Sequence, residues 1–167
     1  MDFKATILTA IEREINVCKR LFTLLPAGSY DYKPFENTRS ILELLQYLSW
    51  VAVSPIDFYV NGTLETQIEM YSKYSKDSGK VTPENFLQKM DEQWVKIQSL
   101  MEKVDIKMLE EKIVMVPWRE EFPMGMAITE TSIKWLTGYK MQLFLFMKMS
   151  SNPGLHTGDC WITTDIE

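Results

Sequence analysis

Few side chains in this sequence could carry nucleophilic or metal chemistry. The 167 residues include one histidine, His156, and two cysteines, Cys18 and Cys160. His156 follows a Pro-Gly turn near the C-terminal end, and one imidazole with a cysteine four residues further on is too little for a metal site. Cys18 lies on an apolar helical face, and the two cysteines form no Cys-x-x-Cys pair, so we predict reduced thiols. The sequence therefore predicts no catalytic residue of the Ser-His-Asp or Cys-His kind.

The composition excludes several classes of protein. Hydrophobic residues make up 46% and charged residues 25%, and the formal net charge is -5. An acidic balance argues against non-specific nucleic-acid binding, which depends on Lys and Arg neutralising phosphates. The chain starts without a basic-then-apolar signal, and no apolar run reaches the roughly 20 residues that a membrane span requires. We therefore predict one cytoplasmic domain over residues 1–167 that binds neither nucleic acid nor membranes.

Four amphipathic segments supply the elements that would position a site. Apolar residues recur at three- and four-residue steps over residues of about 2–25, 38–61, 83–104 and 126–149. Pro55 is expected to kink the second segment, Thr82 to cap the third, and Ile113–Trp118 to be extended. These patterns predict an all-α fold, a four-helix bundle with a long, partly structured connection between helices 2 and 3 and a short C-terminal tail.

Three stretches of the sequence resemble motifs of the DinB-like family of four-helix bundles, a family of damage-inducible metalloproteins. They are Tyr32–Pro34 leading into Arg39–Leu48, the extended Ile113–Trp118, and Trp135–Leu143 in the last helix. In that family one histidine of the second helix and two of the last helix hold a divalent metal. Two imidazoles four residues apart lie on one helical face, and the third arrives from the neighbouring helix. The resemblance covers nearly the whole chain and implies a helical bundle.

Aromatic residues occupy the three histidine positions of the family in this sequence. The histidine of the second helix falls at Tyr47, and the pair in the last helix falls at Trp135 and Tyr139. An indole N–H only donates, and a phenol with a pKa near ~10 is a poor ligand at neutral pH. The flanking residues keep the family pattern: Arg39, Glu43, Leu44, Lys140, Gln142 and Leu143. We therefore predict no metal and no other cofactor, and a metal site that three large aromatic side chains have closed.

Three functions are compatible with these residues. The first is binding of a small apolar or aromatic ligand in a residual pocket with two polar anchors. Its walls would be Tyr47, Trp50, Trp135 and Tyr139, and its anchors Gln142 and Arg39. The second is a structural or regulatory homodimer, suggested by the apolar stretch Leu143–Met147. The third is a metal-dependent or thiol S-transferase-like enzyme, as among metal-bearing relatives. Aromatic residues that only fill the old cavity are an alternative without any ligand. We favour a non-catalytic protein.

Overall fold

The computed structural model describes residues 2–150 and 152–164, and most of these residues are helical. The helices are α1 Phe3–Thr23, α2 Ile41–Leu48, α3 Val53–Asn61, α4 Gln67–Ser78, α5 Phe86–Glu102, α6 Ile106–Glu111, α7 Met124–Ile128 and α8 Lys134–Ser150. A π-helical turn, Thr129–Ile133, joins α7 to α8, and a 3-10 turn covers Thr157–Cys160. No helix of the described residues is long and apolar enough to cross a membrane. The predicted all-α class is confirmed.

A small antiparallel hairpin is the departure from an all-helical chain. It pairs β1, Ile113–Met115, with β2, Glu121–Pro123, so that Val114 is opposite Phe122. The extended segment predicted over Ile113–Trp118 is therefore present as far as Met115, whereas Pro117 and Trp118 lie in the turn of the hairpin. Its partner strand was not predicted, because Glu121–Pro123 is too short to show a period of two.

Helix α1 is the element that the sequence predicts best. Asp2 caps it by accepting a hydrogen bond of 2.7 Å from the backbone N–H of Ala5. One stripe of the helix is buried: Ile7, Ile11, Ile15, Val17, Cys18 and Leu21. The stripe packs on α5 and α8, while the α2–α3 pair packs on both of those helices too. The bundle core thus lies between α1, α2–α3, α5 and α7–α8.

The second predicted helix consists of two helices, α2 and α3, separated by four residues in turns. Pro55 lies in the first turn of α3. A proline has no backbone N–H, so it cannot form the hydrogen bond that would continue the helix from the preceding turn. The break therefore comes just before the proline, and it is wider than a simple kink. Helix α2 starts at a capping box in which Ser40 and Glu43 each satisfy the other's backbone N–H.

A buried glutamine from α5 closes this break. Gln93 is 3% exposed. Its side-chain oxygen accepts hydrogen bonds from the backbone N–H groups of Ala52 and Val53, at 3.1 and 3.3 Å. Its side-chain nitrogen donates to the carbonyl of Leu48 at 3.0 Å. Gln93 thus replaces helical hydrogen bonds that the turn residues lose, and it ties α5 to both halves of the second helix.

Helix α5 begins three residues later than predicted. Asn85, rather than Thr82, precedes its first residue, Phe86. The backbone N–H of Thr82 donates to the Asn85 side chain at 2.9 Å, and Asn85 N–H bonds back to the Thr82 carbonyl at 3.2 Å. These bonds form a turn, which takes the place of the first helical turn predicted at Pro83.

The C-terminal tail packs against α1 instead of extending into solvent. Asp159 forms an ion pair of 3.0 Å with Arg20, and Arg13 donates to the carbonyl of Trp161 at 3.2 Å. Leu155 and Cys160 are buried beneath this segment. Cys160 is therefore shielded from solvent, because two arginines of α1 hold the tail in place. His156 is exposed, as expected of a tail histidine.

Candidate functional site

Two of the three predicted family positions meet where α2 packs against α8. The rings of Tyr47 and Tyr139 lie edge to face, with centroids 4.5 Å apart. Trp50 joins them from the turn after α2, with its ring centroid 4.9 Å from that of Tyr47. Helical spacing explains this convergence, because α2 and α8 each direct one tyrosine toward the other helix. The result is a small aromatic cluster at one end of the bundle.

The guanidinium of Arg39 covers the aromatic cluster. Its central carbon lies 4.4 Å from the ring centroid of Tyr47 and 5.3 Å from that of Tyr139, which is cation–π distance. Among residues 2–150 and 152–164, no carboxylate lies within ion-pair distance of this arginine. The nearby Glu43 binds the Lys33 ammonium at 3.0 Å and the Ser40 backbone N–H at 2.6 Å. The arginine is thus oriented by rings alone.

The other two predicted residues lie apart from the cluster. The ring of Trp135 contacts Trp118 of the hairpin, with centroids 6.4 Å apart, and Trp118 donates its indole N–H to Glu120. Gln142 is half-buried and forms no hydrogen bond within the described part of the chain. The predicted pocket therefore divides: four of its six residues come together, and Trp135 belongs to the hairpin end of α8.

Helix α4 covers the aromatic cluster from outside. Tyr74 stacks on Trp50 with 5.9 Å between centroids and 15° between planes, and Tyr71 meets the same ring edge-on at 6.2 Å. Trp50 is consequently only 8% exposed, and its indole nitrogen is buried without an acceptor among the described residues. Tyr71 and Tyr74 were not among the predicted site residues. The three- and four-residue steps among Met70, Tyr71 and Tyr74 would have indicated an inward face.

A polar cluster holds α4 to the bundle. The Asp57 carboxylate accepts hydrogen bonds from Tyr74 Oη at 2.6 Å, Lys96 Nζ at 2.7 Å and Asn61 Nδ2 at 2.8 Å. Burial opposes the charge of Asp57, but the Lys96, Tyr74 and Asn61 donors hold the pKa of this carboxyl below its usual range. Because α4 itself contains no fully buried residue, this cluster and the two tyrosines form much of its attachment.

A cleft opens between α2 and α4 beside the cluster, and we call it the α2–α4 cleft. Its volume is about 320 Å³. Its bundle side carries Arg39, Tyr47 and Trp50, and its α4 side carries Ser75 and Ser78. The size falls at the lower end of the range of ligand pockets, which is roughly 300–1,000 Å³. The cleft thus offers two aromatic side chains and one cation, together with the carboxylate of Glu43, the amide of Gln46 and two serine hydroxyls.

A comparison with solved structures identifies the fold. A crystal structure described as that of a putative member of the DinB family from Exiguobacterium sibiricum 255-15 matches with a TM-score of 0.67 and 16% sequence identity. The match covers 89% of this chain and 92% of that chain. The chain has a DinB-like fold. No family model matches the sequence, and no curated protein does. The predicted resemblance is confirmed at the level of the fold, which carries no function by itself.

The residues at the ligand positions of this DinB-like bundle do not fit a divalent metal. Burial and the adjacent Tyr139 hydroxyl raise the pKa of Tyr47 to about 12, so its phenol stays protonated at neutral pH. Trp135 can only donate. Within the described residues, no three or more His, Cys, Asp or Glu side chains are grouped so that they could hold a metal ion. We therefore derive no chemistry from a metal at this end of the bundle.

A buried ion pair lies on another face of the same helix. Lys140 is 0% exposed, and its ammonium lies 2.7 Å from the Glu14 carboxylate of α1 and 4.2 Å from the ring centroid of Trp161. Burial raises the pKa of the nearby thiols, Cys18 and Cys160, and thus keeps them protonated. The sequence signal was present, because Lys140 follows Leu136 by four residues and precedes Leu143 by three on a buried stripe.

Proposed function

We propose that this DinB-like protein is a metal-free, non-catalytic binding protein that takes a small organic ligand with an apolar or aromatic part into the α2–α4 cleft. One observation carries the proposal. The Arg39 guanidinium is fixed over the Tyr47 and Tyr139 rings at the edge of the cleft, and no carboxylate of the described chain neutralises it. The aromatic rings would contact the apolar part of the ligand, and the arginine would anchor its polar part.

Aromatic side chains that only fill the space of a former metal site would not explain the position of Arg39. Burial of each large ring stabilises the fold by roughly 1.5–3 kcal/mol, so the tyrosines and tryptophan need no ligand to account for them. An exposed arginine adds little to that packing. Its fixed orientation at an open cleft is what binding requires, since an ordered donor loses less conformational freedom when a ligand arrives.

The residues that line the α2–α4 cleft include no side chain suited to the alternative function, a thiol S-transferase-like enzyme. The phenol of Tyr47 has a raised pKa, and the two thiols are buried on the α1 side of the bundle. The single histidine lies in the tail. We also infer a cytoplasmic location from the expectation of reduced thiols.

The homodimer hypothesis loses its main motivation. Of the apolar stretch Leu143–Met147, Leu145 is exposed at 48%, while its four neighbours in the stretch are buried within the chain. Phe146, for example, meets Tyr32 of the loop before α2, with 6.3 Å between ring centroids. The apolar residues that suggested a partner surface are therefore covered by the chain's own loop and tail. The homodimer therefore stays a prediction that the stretch Leu143–Met147 does not support.

A fragment screen tests the proposed binding. We expect aromatic fragments to bind at millimolar affinity or better in ligand-observed NMR, and to shift the backbone resonances of residues that line the α2–α4 cleft. The Ser75→Trp substitution places an indole on the α4 side of the cleft and should abolish binding by obstruction. Ser72→Trp is the matched control, because Ser72 is an exposed serine of the same helix outside this cleft.

Two results would contradict the proposal. One is the absence of any fragment that binds at millimolar concentration. The other is binding that Ser75→Trp and Ser72→Trp affect equally, because the ligand would then occupy a different surface. Both variants replace exposed residues, so circular dichroism should show that each is folded like the wild type.

A further inference from the structure

The hydrogen-bonding groups of the α2–α4 cleft also indicate a class of ligand. We infer that the ligand is a small organic monocarboxylate, an inference that rests on the proposed binding function. Two lining residues, Arg39 and Trp50, carry donors for which the described chain supplies no acceptor. A site with surplus donors is complementary to a ligand that only accepts, and a carboxylate is such a group.

Arg39 brings several donors to the edge of the cleft. Its guanidinium carbon lies 4.4 and 5.3 Å from the ring centroids of Tyr47 and Tyr139, and its N–H groups have no acceptor in the described chain. A guanidinium edge carries two parallel donors whose spacing matches the two oxygens of a carboxylate. A lysine at this position would not offer that planar match, and a neutral amide ligand would use only one donor of the pair.

Trp50 supplies the second, independent observation. Its indole nitrogen is a donor only, it is buried, and it has no acceptor among the described residues. Several buried side-chain polar atoms lack a hydrogen-bond partner in the described chain, and this one belongs to a residue that lines the cleft. Tyr71 and Tyr74 cover the ring on the side of α4. We therefore place the carboxylate against Arg39 in the open part of the cleft, where Trp50 forms the neighbouring wall.

Charge favours one negative charge over two. Arg39 and Glu43 are the ionisable side chains with formal charge that line the cleft, and Glu43 is already paired with Lys33 at 3.0 Å. One guanidinium can neutralise a carboxylate, whereas a phosphate dianion would keep an uncompensated charge beside Glu43. The balance of charges thus distinguishes a monocarboxylate from a phosphate ester, although both bind arginine.

The test compares three probes that share a phenyl group and differ in the polar group. They are 4-phenylbutyrate, its neutral amide and phenyl phosphate, each titrated into 15N-labelled protein. Trp50→Phe identifies the Trp50 indole resonance by its absence, and Trp135→Phe is the matched control, because Trp135 contacts the hairpin. We expect the carboxylate to shift the Trp50 indole signal and to bind about tenfold more tightly than the amide, the worth of one charge-assisted hydrogen bond.

Variants of the anchor complete the test. Arg39→Gln should remove the preference for the carboxylate over the amide, while Arg119→Gln, at an exposed arginine of the hairpin turn, should keep it. Equal affinities for the carboxylate and the amide, or an unchanged preference in Arg39→Gln, would overturn the carboxylate inference while the binding proposal stands. Tighter binding of phenyl phosphate would also overturn it. If no probe or fragment binds at all, the proposed function fails and this inference fails with it.

Discussion

Two consecutive residues of α8, Tyr139 and Lys140, lead to two differently built regions of the molecule. Lys140 faces α1, where its ammonium has a carboxylate at 2.7 Å, an aromatic ring at 4.2 Å and the C-terminal tail as a cover. Tyr139 faces α2, where the guanidinium of Arg39 has rings beneath it and an open cleft beside it. One cation thus has an ion-pair partner within the chain, and the other has none among the described residues.

Burial decides whether the fold requires a partner for each of the two cations. A buried ammonium without its partner would destabilise the protein by several kcal/mol, so the chain must supply Glu14 for Lys140. An exposed guanidinium is solvated whether or not it has a partner, so the fold imposes no such demand on Arg39. We therefore regard the Lys140 region as structural and the Arg39 region as the one available for a ligand. Substitutions of Glu14 and Arg39 test that division, and a substitution of Gln93 tests the support of the aromatic cluster.

Removal of the Glu14 charge should have the largest effect. Glu14→Gln leaves Lys140 with a buried, uncompensated charge, and we expect the free energy of unfolding to fall by about 3–5 kcal/mol in urea denaturation. Glu12→Gln, an exposed glutamate of the same helix, is the control and should change stability by less than about 0.5 kcal/mol. The double variant Glu14→Leu/Lys140→Met should recover most of the loss, because two apolar side chains can replace a buried ion pair.

A small effect of Glu14→Gln on stability would contradict the division between the two regions. A loss below about 1 kcal/mol, typical of a surface pair, would mean that water reaches Lys140 or that another group neutralises it. The Lys140 region would then differ from the Arg39 region in appearance only. The double variant separates the effect of charge from the effect of packing, because it removes both charges and puts apolar side chains of similar volume in their place.

The next effect should come from Gln93, which supports the cluster from within. Gln93→Leu keeps the volume but leaves the Leu48 carbonyl and the Ala52 and Val53 N–H groups without partners. We expect a loss of about 2–4 kcal/mol in urea denaturation, the cost of two or three buried polar groups left unsatisfied. Gln98→Leu, on the exposed side of the same helix, should be nearly neutral. Similar values for both variants would show that the break between α2 and α3 closes without Gln93.

The sequence predicts the long helices because their stripes are regular, and it fails where a distant residue decides the local structure. The stripe and cap of α1 follow from its own residues. The width of the break after α2 depends instead on Gln93, which lies 41 residues after Ala52. Gln93 lies on the buried face of α5, but its polar side chain conceals this position, because the pattern marks a buried face by its apolar residues.

The candidate site shows the same limit. Spacing and family resemblance were enough to bring Tyr47 and Tyr139 together, because each lies on a well-marked helix. They could not place Trp135, whose neighbour Trp118 is set by the hairpin. They also could not predict the cover by α4, which contains no fully buried residue and is held by hydrogen bonds to Asp57. Long-range polar contacts have no period in a sequence, and they determine where the cleft lies.

The smallest effect on stability should come from Arg39, the residue on which the proposed function depends. Arg39→Gln removes an exposed cation from two ring faces, and we expect the free energy of unfolding to change by less than about 1 kcal/mol, the range of exposed cation–π contacts. Lys140→Met provides the contrast, since it strands the Glu14 carboxylate and should cost several kcal/mol. A loss of about 2 kcal/mol or more for Arg39→Gln would instead make this arginine a clamp between α2 and α8. Its donors would then serve the fold, and the α2–α4 cleft would lose the free cation that distinguishes it from the closed Lys140 region.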